Sequence, residues 1–209
     1  MKLITYETSS KEFQNSLLKY TCDRIDDIEL IALGIGDEWK GVSQKIIETD
    51  KYVRNLDESE VVMFADCRDV LVQSTGKCIT KAYESTSDKI LFGTDPVCFP
   101  LIPLCDFFPT TKYLNSGAYI SSVKKLIEMY DVYKMYFSDV DGVINRNFGI
   151  TSAEIDDEEY LYEDRLGESL RRCDQLLVQL IFLTTDLIDL DYTKNFVQTS
   201  ILIPSQNDL

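Results

Sequence analysis

Asp66 and Asp69 are the residues whose type and spacing are best placed to do chemistry. They follow the uncharged run Val61-Val-Met-Phe-Ala65 within the stretch from Glu60 to Val72. A strand that shows no polar and apolar alternation is one covered on both faces, as in a parallel sheet. Acids just past its carboxyl end lie where open α/β sheets bind ligands, and two neighbouring carboxylates there can hold a divalent cation. The same spacing also suits the cap of a following helix, because aspartate is a favoured capping residue, and by spacing alone the two readings weigh evenly.

Other chemistry is bounded by composition. The 209 residues contain no histidine, which removes Ser-His and Cys-His catalysis and imidazole-metal sites. Carboxylates, amides, hydroxyls or a metal remain. The six cysteines include no Cys-x-x-Cys pair, which argues against a zinc ribbon or thioredoxin-like motif, and most are expected to be reduced and structural. A formal net charge of −15 disfavours nucleic acid and anionic membranes as partners. A phosphate-bearing substrate would need local compensation, which a metal ion supplies. The hydrophobic fraction of 44% is enough for a globular core. The apolar run at the start is too short for a signal peptide, and no stretch approaches the length of a membrane span, so a cytoplasmic setting is expected.

The elements that would position Asp66 and Asp69 alternate along the chain. Lys2 to Tyr6 reads as a strand, Ser9 with Glu12 as a capping box opening a helix with Phe13, Leu17 and Leu18 inward, and Ile28 to Leu33 as a second strand. Gly34-Ile-Gly36 lacks the third glycine of a dinucleotide fingerprint and reads as a turn. Ser43 to Leu56 is a helix with Ile46, Ile47 and Val53 on one face. Beyond the acids, Gly76 to Glu84 suits a helix and Lys89 to Phe92 a strand, and Pro96, Pro100, Pro103 and Pro109 mark an irregular crossing beside a cleft. Asn115-Ser-Gly117 is a tight polar turn running into an apolar strand, and Ser122 to Tyr130 suits a helix. Residues 138–172 are acidic and glycine-broken, read as an insertion or mobile lid. Asp174-Gln175 opens a helical apolar run, Leu176 to Leu183, and a last strand is expected near Phe196-Val197. Strands and helices alternating at these lengths indicate one three-layer α/β domain over residues 1–209, with a mostly parallel central sheet.

Four segments together resemble a known family: Leu33-Gly-Ile-Gly-Asp-Glu-Trp-Lys-Gly41, Met63-Phe-Ala-Asp-Cys-Arg-Asp-Val70, Leu114-Asn-Ser-Gly-Ala-Tyr119 and Asp174-Gln175-Leu176. Their order and spacing are similar to the glycosyltransferase domain of procollagen lysyl hydroxylases and to the related collagen glucosyl- and galactosyltransferases. The resemblance runs from the first strand to near the end. It implies a Rossmann-like GT-A fold that binds a UDP-sugar with Mn2+ or Mg2+. On it, Asp66 and Asp69 hold the metal bridging the diphosphate, Thr8 and Trp39 contact the nucleotide, and Asn115, Asp174 and Gln175 face the transferred sugar and the acceptor. Where the family has a tyrosine stacked on uracil this chain has Arg68, which can stack or contact phosphate. Phe99, before Pro100, stands where the family has a tryptophan. The longer glycine-rich loop that follows Trp-x-Gly in the family has no counterpart after Gly41, and neither has the distal histidine that completes the metal site.

Two classes of function follow from the resemblance. The first is a metal-dependent transferase moving a hexose, glucose or galactose, from UDP to a hydroxyl acceptor, for which the family implies hydroxylysine of a collagen-like polypeptide. The second is a catalytically degenerate relative serving as a binding or interaction module on the same fold. A third, a nucleotide- or sugar-phosphate-processing enzyme, stays open because a fold does not determine its chemistry. Secretory location is expected only if the chain is a fragment.

Overall fold

The computed structural model describes residues 1–193. Its centre is a six-stranded sheet in the order β2-β1-β3-β5-β4-β6, formed by β1 (Lys2–Tyr6), β2 (Glu29–Leu33), β3 (Val61–Ala65), β4 (Ile90–Asp95), β5 (Tyr113–Ser122) and β6 (Ile188–Leu190). The pairs β1 with β2, β1 with β3, and β4 with β6 are parallel. Strand β5 runs against both β3 and β4, so the sheet is mostly parallel with one reversed strand inside it. The strand expected near Phe196 and Val197 lies outside the described residues.

The uncharged run of β3 is buried on both faces, as its lack of alternation requires. Val62 and Phe64 face one core with Ile4, Tyr6, Phe92 and Tyr119, while Met63 and Ala65 face another with Leu3, Leu91 and Ile120. The first core is covered by α3 (Gln44–Val53), α5 (Val123–Phe137), α6 (Val140–Phe148), α7 (Ser152–Leu166) and α8 (Asp174–Thr184), and the second by α2 (Leu17–Cys22) and α4 (Gly76–Thr86). This is the three-layer arrangement. Helix α8 is apolar almost all round because it runs through the larger core rather than along a surface.

Three local expectations change. The helix expected from Ser9 through Leu18 divides into α1 (Ser10–Gln14) and α2, because Ser16 caps a new start by accepting from the Lys19 amide. Leu18 is then buried and Leu17 exposed. On α3, Ile46 and Val53 face the core but Ile47 faces outward, one position off the inner stripe. The acidic 138–172 stretch consists largely of helices: Thr151 and Glu154 form a complete capping box for α7, and Ile155, Tyr162 and Leu170 enter the larger core. Its charges are partly paired, with Arg171 binding Asp141, Asp156 and Glu159. Among the cysteines, Cys98 and Cys105 are bridged, whereas Cys22, Cys67, Cys78 and Cys173 are free. No helix among the described residues is long and apolar enough to cross a membrane.

Candidate active site

Strands β1, β3 and β4 end at the same edge of the sheet at which reversed β5 begins. Tyr6-Glu-Thr8, Asp66 and Asp95 therefore meet Asn115-Ser-Gly117. The register between β4 and β5 shifts at Phe92 and Gly93: Gly93 pairs with Asn115, and Ser116, Gly117 and Ala118 are the extra residues of β5. Asn115 shapes it: its Oδ1 accepts from the Gly117 amide at 2.8 Å and its Nδ2 donates to Asp95 Oδ2 at 3.3 Å. The Asp66 amide donates to the Gly117 carbonyl at 2.7 Å. A Cβ on residue 117 would lie 2.8 Å from Asn115 Oδ1 and 3.0 Å from Asp66 Oδ2, so only glycine lets both side chains close over this backbone.

The residue that sequence reasoning missed stands in the middle of these acids. Lys45 Nζ lies 3.0 Å and 3.3 Å from the two Asp66 oxygens and 3.1 Å from Asp174 Oδ2. Asp174 is the first residue of α8, and its side chain forms no helix cap. It points instead to Lys45 and is only 4% exposed. The Lys45 side chain is 12% exposed, with its ammonium 5.8 Å from the centroid of the Phe64 ring. Burial works against its charge, but Asp174 and Asp66 outweigh burial and hold the ammonium well above its ordinary pKa. Asp66 is raised chiefly by burial and further by Asp174 and Asp69, although Lys45 pulls it down. Its side chain is 37% exposed. A signal for Lys45 was available: Lys45, Thr49 and Val53 recur at four-residue spacing on the inner face of α3, where Thr49 and Val53 are fully buried.

Asp69 is exposed and near enough to add to the repulsion on Asp66. Two carboxylates, Asp66 and Asp174, thus face one ammonium, with Asp69 close enough to act on Asp66. Among the described residues no group of three or more His, Cys, Asp or Glu is assembled to hold an ion by itself. A divalent cation placed on Asp66 would need further oxygen ligands from outside this set.

The remaining expected residues border the same edge. Arg68 forms a two-pronged pair with buried Glu7, at 2.7 Å and 3.1 Å, directly before Thr8. That pairing, with the Ser9 amide, holds the Glu7 carboxyl below its ordinary pKa. The Thr8 carbonyl accepts from the Gly36 amide at 2.9 Å, so Gly34-Ile-Gly36 is a turn, and both of its glycines have positive φ. Trp39 is 50% exposed and fills no core gap. Its Nε1 donates to Glu168 Oε1 at 3.2 Å, and the Val42 amide donates to Oε2 at 3.1 Å, so the loop after α7 grips the Trp-x-Gly loop. Gln175 is a staple: its Oε1 accepts from the Ser116 amide at 3.4 Å and its Nε2 donates to the Phe99 carbonyl at 2.9 Å. The Phe99 carbonyl also accepts from Gln179, and the Phe99 ring stacks on Tyr162.

A mostly parallel sheet with acids beyond its third strand, faced by an Asn-Ser-Gly element on a reversed neighbour, is the arrangement of a GT-A fold. The model of the PLOD GT domain matches residues 3–143, and the chain belongs to that family. The procollagen-lysine,2-oxoglutarate 5-dioxygenase of Drosophila melanogaster is 30% identical over 46% of this chain and 15% of its own length. The human multifunctional procollagen lysine hydroxylase and glycosyltransferase LH3 is 23% identical over 67% of this chain and 21% of its own. The chain thus matches only a small part of these relatives. Among solved structures, galactosyltransferase LgtC, crystallised with donor and acceptor sugar analogs, aligns over 91% of this chain and 73% of its own at 13% identity and a TM-score of 0.46.

Proposed function

We propose that this chain transfers a hexose from a UDP-sugar to a hydroxyl acceptor, with a divalent cation, Mn2+ or Mg2+, held by Asp66 and Asp69. The supporting observation is the convergence of Asp66, Asn115, Asp174 and Lys45 at one edge of the sheet, with an excess of negative charge at the end of β3. When bound, the cation supplies charge neutralisation for the diphosphate. Thr8, Trp39 and Arg68 border the nucleotide. Arg68, held flat by Glu7, presents a guanidinium plane in the place of an aromatic ring. Asn115 and Asp174 face the transferred sugar, where the Asp174 carboxylate orients the attacking hydroxyl and can take its proton. Gln175 and Phe99 form the acceptor side of the cleft. Catalysis on this reading is mainly positioning together with electrostatic stabilisation of the departing diphosphate.

A hydroxylysine-bearing, collagen-like peptide is the acceptor to try first, with UDP-glucose and UDP-galactose compared as donors. The Cys98–Cys105 bridge supports an oxidising compartment over the cytoplasm. Calorimetric titration of UDP with and without Mn2+ tests the reading. Binding is expected to require Mn2+ and to vanish when Asp66→Ala and Asp69→Ala are combined. Absence of Mn2+-dependent binding, or binding indifferent to those substitutions, would leave the interaction module.

A further inference from the structure

The Lys45 ammonium occupies ground that a divalent cation on Asp66 would need. It donates to both Asp66 oxygens, at 3.0 Å and 3.3 Å, and lies 3.1 Å from Asp174 Oδ2. An ammonium on both Asp66 oxygens competes for them with a metal ion, whose oxygen ligands lie at about 2.1 Å. Two cations crowded on one carboxylate also repel each other.

We propose that Lys45 is the counter-ion of the donor-free site and competes with the divalent cation for Asp66, so that the cation binds firmly only together with a diphosphate that draws Lys45 away. The proposal rests on the donor reading above. A diphosphate brings the acceptor oxygens that an ammonium requires, so Lys45 keeps Asp174 and exchanges Asp66 for phosphate. Cation and nucleotide then enter as a unit, and on departure of the product Lys45 returns to Asp66 and helps release both.

The test titrates Mn2+ alone, read from the loss of its free-ion paramagnetic resonance signal, into the wild-type chain, Lys45→Met and Lys45→Arg, and repeats each titration with UDP. Lys45→Met is expected to bind Mn2+ alone about tenfold tighter than wild type, since a competing charge is gone. UDP should tighten Mn2+ binding strongly in wild type and little in Lys45→Met. Equal or weaker binding of Mn2+ alone by folded Lys45→Met would overturn the proposal. Lys45→Arg preserves the charge that the fold needs, and its fork should hold Asp66 at least as firmly, so tighter Mn2+ binding by this variant would overturn it as well. If UDP fails to bind wild type at all, the transferase reading falls, while the order of the variants toward Mn2+ alone still decides the role of Lys45.

Discussion

Asp66 and Gly117 are held together through backbone and side chain at once. The amide of one donates to the carbonyl of the other at 2.7 Å, and Asp66 Oδ2 would lie 3.0 Å from a Cβ on residue 117. Gly117→Ala is therefore expected to push aside the ends of Asp66 and Asn115 while leaving the backbone pairing in place. Both are movable side-chain ends, so the stability cost should stay near about 1 kcal/mol. Misplaced reacting groups can lose about 100-fold in rate, and turnover of UDP-sugar is expected to fall by that order. Denaturation midpoints measured beside transfer rates check it; a variant that loses stability and not rate would contradict this account of Gly117.

The Arg68 pair with Glu7 gives a pH signature. Because the folded pKa of Glu7 is depressed, its contribution to stability is present above the ordinary value of 4.5 and is lost as pH falls through the folded value. Arg68→Ala is expected to cost about 1 kcal/mol at pH 7, a modest figure because Arg68 is largely exposed. The difference from wild type should shrink as the solution is acidified below pH 4.5. Urea denaturation at neutral and acid pH measures it, and a gap that persists in acid would assign the loss to packing instead of charge.

Trp39 is the chain's single tryptophan, and Glu168 holds its indole and the Val42 amide together. Glu168→Ala should release this loop, shift the fluorescence of Trp39 to the red and weaken UDP binding several-fold. Because these contacts are largely at the surface, global stability should change by no more than about 0.5 kcal/mol. Fluorescence titration of UDP into both forms is the check, and identical spectra and affinities would detach Glu168 from the donor side.

The bridge between Cys98 and Cys105, seven residues apart, encloses Phe99, whose carbonyl takes hydrogen bonds from both Gln175 and Gln179. Replacing both cysteines with serine is expected to cost about 2 kcal/mol, at the low end for a short closed loop. On the proposed reading, which puts Phe99 on the acceptor side, acceptor KM should rise more than donor KM. Thermal melts and steady-state kinetics with each substrate varied in turn separate the two effects.

Much of this protein was legible from local pattern. Val61 to Ala65 carries its own proof of double burial in a lack of alternation, and the strand–helix order of the first half follows from apolar spacing and capping residues that act within a turn or two. The four short motifs placed Asp66, Asn115 and Asp174 at one edge because strand ends and helix starts in an alternating fold face the same way. Apolar spacing misled locally, since Ser16 caps a new helix where the spacing alone would have continued the first.

What only the tertiary structure decided are the partners. Lys45 meets Asp66 and Asp174, Glu7 meets Arg68, and Glu168 meets Trp39 across 21 to 129 residues of chain. Helical spacing on α3 turns Lys45 inward, but nothing local in the sequence names the partners of an ion pair. The charge state and the task of Lys45 are set by which carboxylates the fold brings within about 4 Å of it. The sequence alone determined that acids stand at the end of β3, and the folded chain decided that a lysine already stands among them.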